Sequence, residues 1–153
     1  MDATIGRRRL GVVRRRTAAT LVLLAIQFLV GMSLNLYVTI PTHHPGAGSG
    51  PYLSGALASV LWSFTSGLPL LIVHVVIGVL LLLSAVELVV HAVRSRRGAA
   101  ATWLAAGGLI AIIFAGFNGA SFVKYNVDIS SMLMSVGFAV AVVCYAGLLT
   151  IAA

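Results

Sequence analysis

Apolar residues run along this chain in four long stretches, at about 17–40, 68–93, 102–122 and 129–153, parted by short polar or glycine-rich breaks. The stretch from Leu68 to Val93 is the most uniform. It reads LPLLIVHVVIGVLLLLSAVELVVHAV, is interrupted by His74, Glu87 and His91, and is closed by Arg94, Arg96 and Arg97. As a helix it extends about 39 Å, enough to cross a hydrocarbon core of about 30 Å with some tilt. In the first stretch Gln27, Gly31 and Asn35 recur every four residues, so they share one helix face. In the third, Gly107, Ala111, Ala115 and Gly119 form one four-residue series, with Gly108, Gly116 and Ala120 beside it. Such stripes let backbones approach closely where lipid supplies no apolar driving force between helices.

Between the first two spans, Thr39–Pro51 holds three prolines and three glycines and reads as loop. Tyr52–Phe64 then places Leu53, Ala56, Leu57, Val60, Leu61 and Phe64 at helical spacing, with Ser54, Ser59 and Ser63 off that stripe. It is too short to span, so an interfacial helix is expected, with Trp62 at head-group level. The predicted fold class is all-α: an integral membrane antiparallel four-helix bundle with an interfacial helix in the first outer loop.

Composition agrees. Of 153 residues, 60% are hydrophobic and only 8% charged, against about 25% charged in soluble domains. The net charge of +7 does not point to nucleic acid, because nine of the ten basic residues lie at Arg7–Arg16 and Arg94–Arg97, each cluster abutting an apolar span. That is a positive-inside pattern and a surface for anionic head groups. It predicts a cell-membrane protein with both termini cytoplasmic, and it puts the Gly/Pro loop and the Lys124–Asp128 turn outside. Residues 1–16 are expected to be a disordered or interfacial cytoplasmic arm, and 17–153 the transmembrane domain. The first apolar run is longer than the core of a secretory signal, so a retained helix is expected. The single cysteine, Cys144, excludes an intrachain disulfide and a thiol metal cluster.

Counted from the predicted outer ends, Asn35, His74, Asn118 and Met134 all fall roughly 6–9 Å below the boundary. One polar or sulfur-bearing residue from each span thus sits in a common layer. An intramembrane histidine is a functional pointer by default. One reading is a haem b site for electron transfer, with His74 as an axial ligand, Met134 or Met132 opposite, and the small residues around Gly116 making room for the ring. His43 or His44 is an alternative second ligand if the loop folds down, although a solvated loop is favoured for both. The other reading is a knot of interhelical hydrogen bonds, each worth about 0.6 kcal/mol, that binds nothing. Gln27 is expected to hydrogen-bond between helices. Glu87 and His91, at i and i+4, are expected to form an interfacial ion pair or to snorkel to cytoplasmic water. No nucleophile–base pair, phosphate loop or carboxylate dyad points to a hydrolase or transferase.

Gln27-x3-Gly31 on the first span, a histidine near the outer end of the second and the basic turn after it resemble one four-helix half of the haem A synthase family. The resemblance implies the fold and, through His74, one haem. Where that half-bundle carries a second ligating histidine, this chain has Ser130-Ser131-Met132-Leu133-Met134; Val75 stands where an arginine often follows the first. The outer-loop cysteines and carboxylate linked to synthase activity have no counterpart here.

Three function classes stay open: a haem-binding electron-transfer subunit, a non-catalytic membrane subunit or assembly factor with a structural polar layer, and a small-molecule carrier. Membrane lipids are the expected surroundings, with a membrane-protein partner or a homo-oligomer as further expectations and no nucleic acid. A reporter fused to the C-terminus is expected to be active in the cytoplasm; activity on the other side overturns the orientation.

Overall fold

The computed structural model describes residues 3–48, 50–94 and 98–151, with the backbone alone for 3–10. Arg96 and Arg97 of the basic turn, and the last two residues of the fourth predicted span, lie outside the described residues. Among the described residues five helices account for the regular structure: α1 Ala3–Tyr37, α2 Tyr52–Ser63, α3 Pro69–Arg94, α4 Ala99–Tyr125 and α5 Asp128–Ile151. Four stretches, Gly11–Tyr37, Pro69–Arg94, Ala99–Tyr125 and Asp128–Ile151, are long and apolar enough to cross a membrane. The protein is a small multi-pass membrane protein.

Two boundaries differ from expectation. The basic arm is helical from Ala3 and continuous with the first span. It contains no proline, and arginine is a good helix former. At the other end, α4 runs past Phe122 to Tyr125, so Lys124 stands on a helix rather than in a turn. The helix stops where Asn126 turns left-handed (φ 53°) and its N–H bonds Phe122 O at 2.7 Å, a helix-ending geometry that asparagine tolerates. Pro69 opens α3 at the first helical position, where its missing N–H costs nothing.

The spans form a closed up-and-down ring. α1 packs on α3, α3 on α4, α4 on α5 and α5 back on α1, while among the described residues the diagonal pairs have no close backbone approach. The two halves of the ring differ. Towards the start of α1, Leu24, Leu81, Leu88, Ala105, Ala141 and Tyr145 belong to one continuous apolar core. Towards the loop, Leu34, Ile40, Leu71 and Val123 form a smaller plug, joined by Trp62 of α2 and containing no residue of α5.

The α4–α5 seam is the tightest, and the small-residue stripe of α4 makes it so. Tyr145 lies on Gly108, with no room for a side chain there. A Cβ on Gly107 would stand 3.1 Å from Cys144 Sγ, and one on Gly119 3.2 Å from Met134 Sδ. From the other side, a Cβ on Gly137 would meet Ala111 O at 2.9 Å. Close approach replaces the hydrophobic drive that lipid cannot supply.

α2 lies on the ends of α3 and α4, and among the described residues its backbone comes close to neither α1 nor α5. Its buried residues are Ala56, Ser59 and Ser63, whereas Leu53, Leu57 and Leu61 are exposed. The small and polar face turns inward and the leucine stripe outward, the order that suits a helix whose surroundings are apolar. The loop before α2 is strapped to the end of α4. Lys124, only 3% exposed, donates to Gly48 O at 2.7 Å and Gly46 O at 3.2 Å. His44 donates through Nε2 to Val123 O at 3.0 Å and stacks on Trp62. His44 is therefore docked rather than solvated, while His43 remains exposed.

Gly137→Leu is expected to destabilise the bundle by about 1–3 kcal/mol, because its side chain meets backbone across the α4–α5 seam. Gly116→Ala, where an added Cβ meets nothing within 4 Å, is expected to be neutral or stabilising. Denaturant unfolding in detergent, followed by circular dichroism, separates the two.

Candidate functional site

A ladder of polar contacts holds α1 against α3. At the basic end Arg16 pairs with Glu87, so Glu87 finds its partner across the interface rather than in His91, whose Nδ1 contacts the Glu87 carbonyl instead. One turn further, Thr20 donates to Arg16 O, which leaves its oxygen to accept from Ser84 Oγ at 2.6 Å. Beyond a run of aliphatic residues comes the third rung, Gln27 Nε2 donating to His74 Nε2 at 3.1 Å.

This third rung rests on two glycines. A Cβ on Gly31 would stand 2.9 Å from His74 Cε1, and one on Gly78 3.5 Å from Gln27 Nε2. Each long polar side chain thus lies over the glycine four residues along the opposite helix, Gln27 over Gly78 and His74 over Gly31. The pattern is present twice in the chain, as Gln27-x3-Gly31 and His74-x3-Gly78. Antiparallel packing makes the two copies complementary. The clasp is incomplete, however: Gln27 Oε1 and His74 Nδ1 are buried without a partner. Exchanging the amide oxygen and nitrogen swaps donor for acceptor but leaves the same two positions unpaired, at about 1–3 kcal/mol for each.

Beside the clasp lies a cavity of about 430 Å³, within the range of small-molecule sites. Its walls run from Leu24 to Asn35 on α1, Leu71 to Leu82 on α3 and Ile112 to Val123 on α4, each about 16 Å of helix. α5 contributes Ser131, Met134, Ser135, Gly137 and Phe138, and α2 contributes Val60 and Ser63. The lining is apolar apart from Gln27, Asn35, Ser63, His74 and the two serines of α5, and among the described residues it holds no charged side chain. Gly116 opens directly onto this space.

Of the residues singled out from the sequence, His74, Met134, Asn35 and Gly116 all line the cavity. Asn118 and Met132 do not. Asn118 donates to its own Phe114 O at 2.8 Å, and Met132 is 56% exposed on the outside of α5. Each is two residues from a lining position, Gly116 and Met134, which is about 200° around a helix. The common layer is also looser than expected. With the observed helix ends, Asn35 lies about 3 Å in and Asn118 about 10 Å in. Among the described residues no group of three or more His, Cys, Asp or Glu converges as a metal site. The sequence reading missed Gly78 and the Phe28–Phe138 stack (centroids 4.9 Å apart) that closes the α1–α5 seam. The signal for Gly78 was available, in the repeated four-residue spacing.

No protein-family model, curated protein or solved structure matches this chain.

A double-mutant cycle of Gln27→Ala and His74→Ala is expected to return a coupling of about 0.5–1.7 kcal/mol, the span measured for interhelical hydrogen bonds in membranes. Detergent unfolding of the four variants gives the value; zero coupling removes the clasp.

Proposed function

We propose that this protein binds a largely apolar small molecule in its central cavity, as a membrane carrier or ligand-holding subunit. One observation carries this reading. The bundle holds a continuous apolar core in one half and a cavity in the other, and the cavity is walled by all four spans with Gly116 where a side chain would enter it. A helix that needs only to pack gains from a side chain at Gly116, since an added Cβ there meets nothing within 4 Å. The arginines at the start of the α1 span and the end of α3 support placement in the cell membrane with both termini cytoplasmic and α2 outside. A protein partner or a second copy of the chain would complete a subunit role.

A second reading keeps the cavity for haem b, and what favours it is that His74, Met134 and Gly116 share one lining. His74 would supply one axial ligand and Met134 the other; the group itself would supply one-electron transfer. As placed, the imidazole does not present a nitrogen to the cavity. Nε2 is engaged by Gln27, and Nδ1 is buried beside Gly31. This reading therefore requires His74 to leave the clasp.

Apolar ligands screened against the detergent-purified protein are expected to raise its unfolding temperature by several degrees, and Gly116→Phe, which fills the cavity, is expected to abolish the rise. A flat response from native protein and variant alike sinks the binding reading. An absorption spectrum decides the second: a Soret band lost in His74→Ala supports haem, and colourless protein from haem-replete cells removes it.

A further inference from the structure

The four seams of the bundle are closed to very different degrees. α1–α3 is sealed by the Arg16–Glu87, Thr20–Ser84 and Gln27–His74 rungs. α4–α5 is sealed by glycine-mediated contact, and the loop end of α3–α4 is covered by α2. α1–α5 has the sparsest contact of the four, and among the described residues no hydrogen bond crosses it. Its one aromatic contact among the described residues, the Phe28–Phe138 stack, borders the cavity in its lower part. Above that stack the gap is bordered by Met32 and Asn35 on α1 and by Ser131 and Ser135 on α5, all of them lining the cavity. Met32, Asn35 and Ser135 are exposed. The plug at this end of the bundle includes nothing from α5, so the mouth lies at this gap.

The dimensions and chemistry of the hollow narrow what enters. Its walls span about 16 Å, close to the hydrocarbon depth of one leaflet, about 15 Å. Polar groups gather at the mouth: Asn35 has no side-chain hydrogen bond among the described residues, Ser131 Oγ donates none, and Ser135 donates back to Ser131 O. No charged side chain lines the space. Of the nearest charged groups, Lys124 is committed to the Gly46 and Gly48 carbonyls, and Asp128, three residues before Ser131, disfavours an anionic head.

We infer that one hydrocarbon chain of a neutral-headed amphiphile, drawn from the leaflet on the α2 side, enters sideways between α1 and α5 and fills the cavity with its head at Asn35, Ser131 and Ser135. This rests on the cavity being a binding site and names its ligand class and route. The surrounding solvent supplies such chains at very high local concentration. A chain that exchanges lipid neighbours for the cavity wall gives up no apolar contact, while its head gains hydrogen-bonding partners in Asn35 and Ser131, whose side chains have none among the described residues.

The test reconstitutes the full chain in phosphatidylcholine vesicles containing a diacylglycerol with a mid-chain diazirine, photolyses, and maps the adducts by mass spectrometry. Adducts at Met134 and Phe138 are expected, falling at least tenfold in Gly116→Phe, with labelling of lipid-facing Leu29 and Leu36 unchanged. Ser135→Trp, at the mouth, is expected to slow labelling of the inner positions several-fold when probe is added to preformed proteoliposomes. Equal labelling in Gly116→Phe overturns the inference. So do adducts confined to Val79, Leu82 and Ile113 on the α3–α4 side, or an unaltered rate in Ser135→Trp. A phosphatidic acid carrying the same diazirine chain that labels the inner positions as strongly as the diacylglycerol overturns the neutral head. If other apolar ligands stabilise the protein in a Gly116→Phe-sensitive way and the diacylglycerol does not label it, the binding site stands and the lipid assignment fails. Failure of both removes the site itself.

Discussion

The hydrogen bond between Gln27 and His74 sets where everything else in the bundle lies. In hydrocarbon an unpaired amide or imidazole is costly, so two such groups on adjacent helices have one good place to be, which is against each other. Meeting at 3.1 Å requires the helix axes to be close, and closeness requires that neither side chain strike the opposite backbone. Gly31 and Gly78 satisfy that requirement reciprocally. Once this rung is made, the antiparallel register of α1 on α3 is determined, and the same register brings Thr20 to Ser84 and Arg16 to Glu87. A slip of one residue would break all three rungs together.

The remaining spans are placed by shape rather than by polarity. α5 is held to α4 through glycines on both helices, with Tyr145 on Gly108 and the Gly137 backbone against Ala111 and Ala115. The two well-made seams, α1–α3 and α4–α5, form two helix pairs. Between them the packing is uneven: towards the start of α1 leucines, alanines and Tyr145 form a continuous core, and towards the loop a space remains that glycine and alanine help to line. The loop and α2 then cover this end of the bundle over α3 and α4, with Ile40 of the loop packed in one cluster with Leu34 of α1. The buried ammonium of Lys124 anchors them through two carbonyls near the α4 C-terminus, where the helix dipole favours a cation.

Which parts of this were legible beforehand follows from what each part depends on. The four spans and the short α2 could be read because length and hydropathy are local properties. The Gln27, Gly31 and Asn35 face was legible too, since a four-residue spacing fixes a face wherever the helix packs. The loss of Asn118 and Met132 from the expected layer has a different origin. Their height was close to that of their neighbours, but rotation about the helix axis was unknown, and two residues along the chain is more than half a turn. Lys124 was read into a short outer turn and His44 into a solvated loop because polar residues between two apolar spans resemble an ordinary connection. Only the docking of that loop on α4 supplied the carbonyls that allow their burial.

The sequence by itself determined that this chain is an all-helical, four-span membrane protein with one polar stripe on α1 and one intramembrane histidine on α3. Those conclusions need only the free energy of placing each residue in lipid or water, summed along a segment. The tertiary structure decided that His74 is spent on Gln27, that the glycines of α4 both seal one seam and leave a hollow, and that the hollow is least closed between α1 and α5. Each of these depends on which faces of separate helices meet. That is a matter of rotation and register between distant segments, and no local sum contains it.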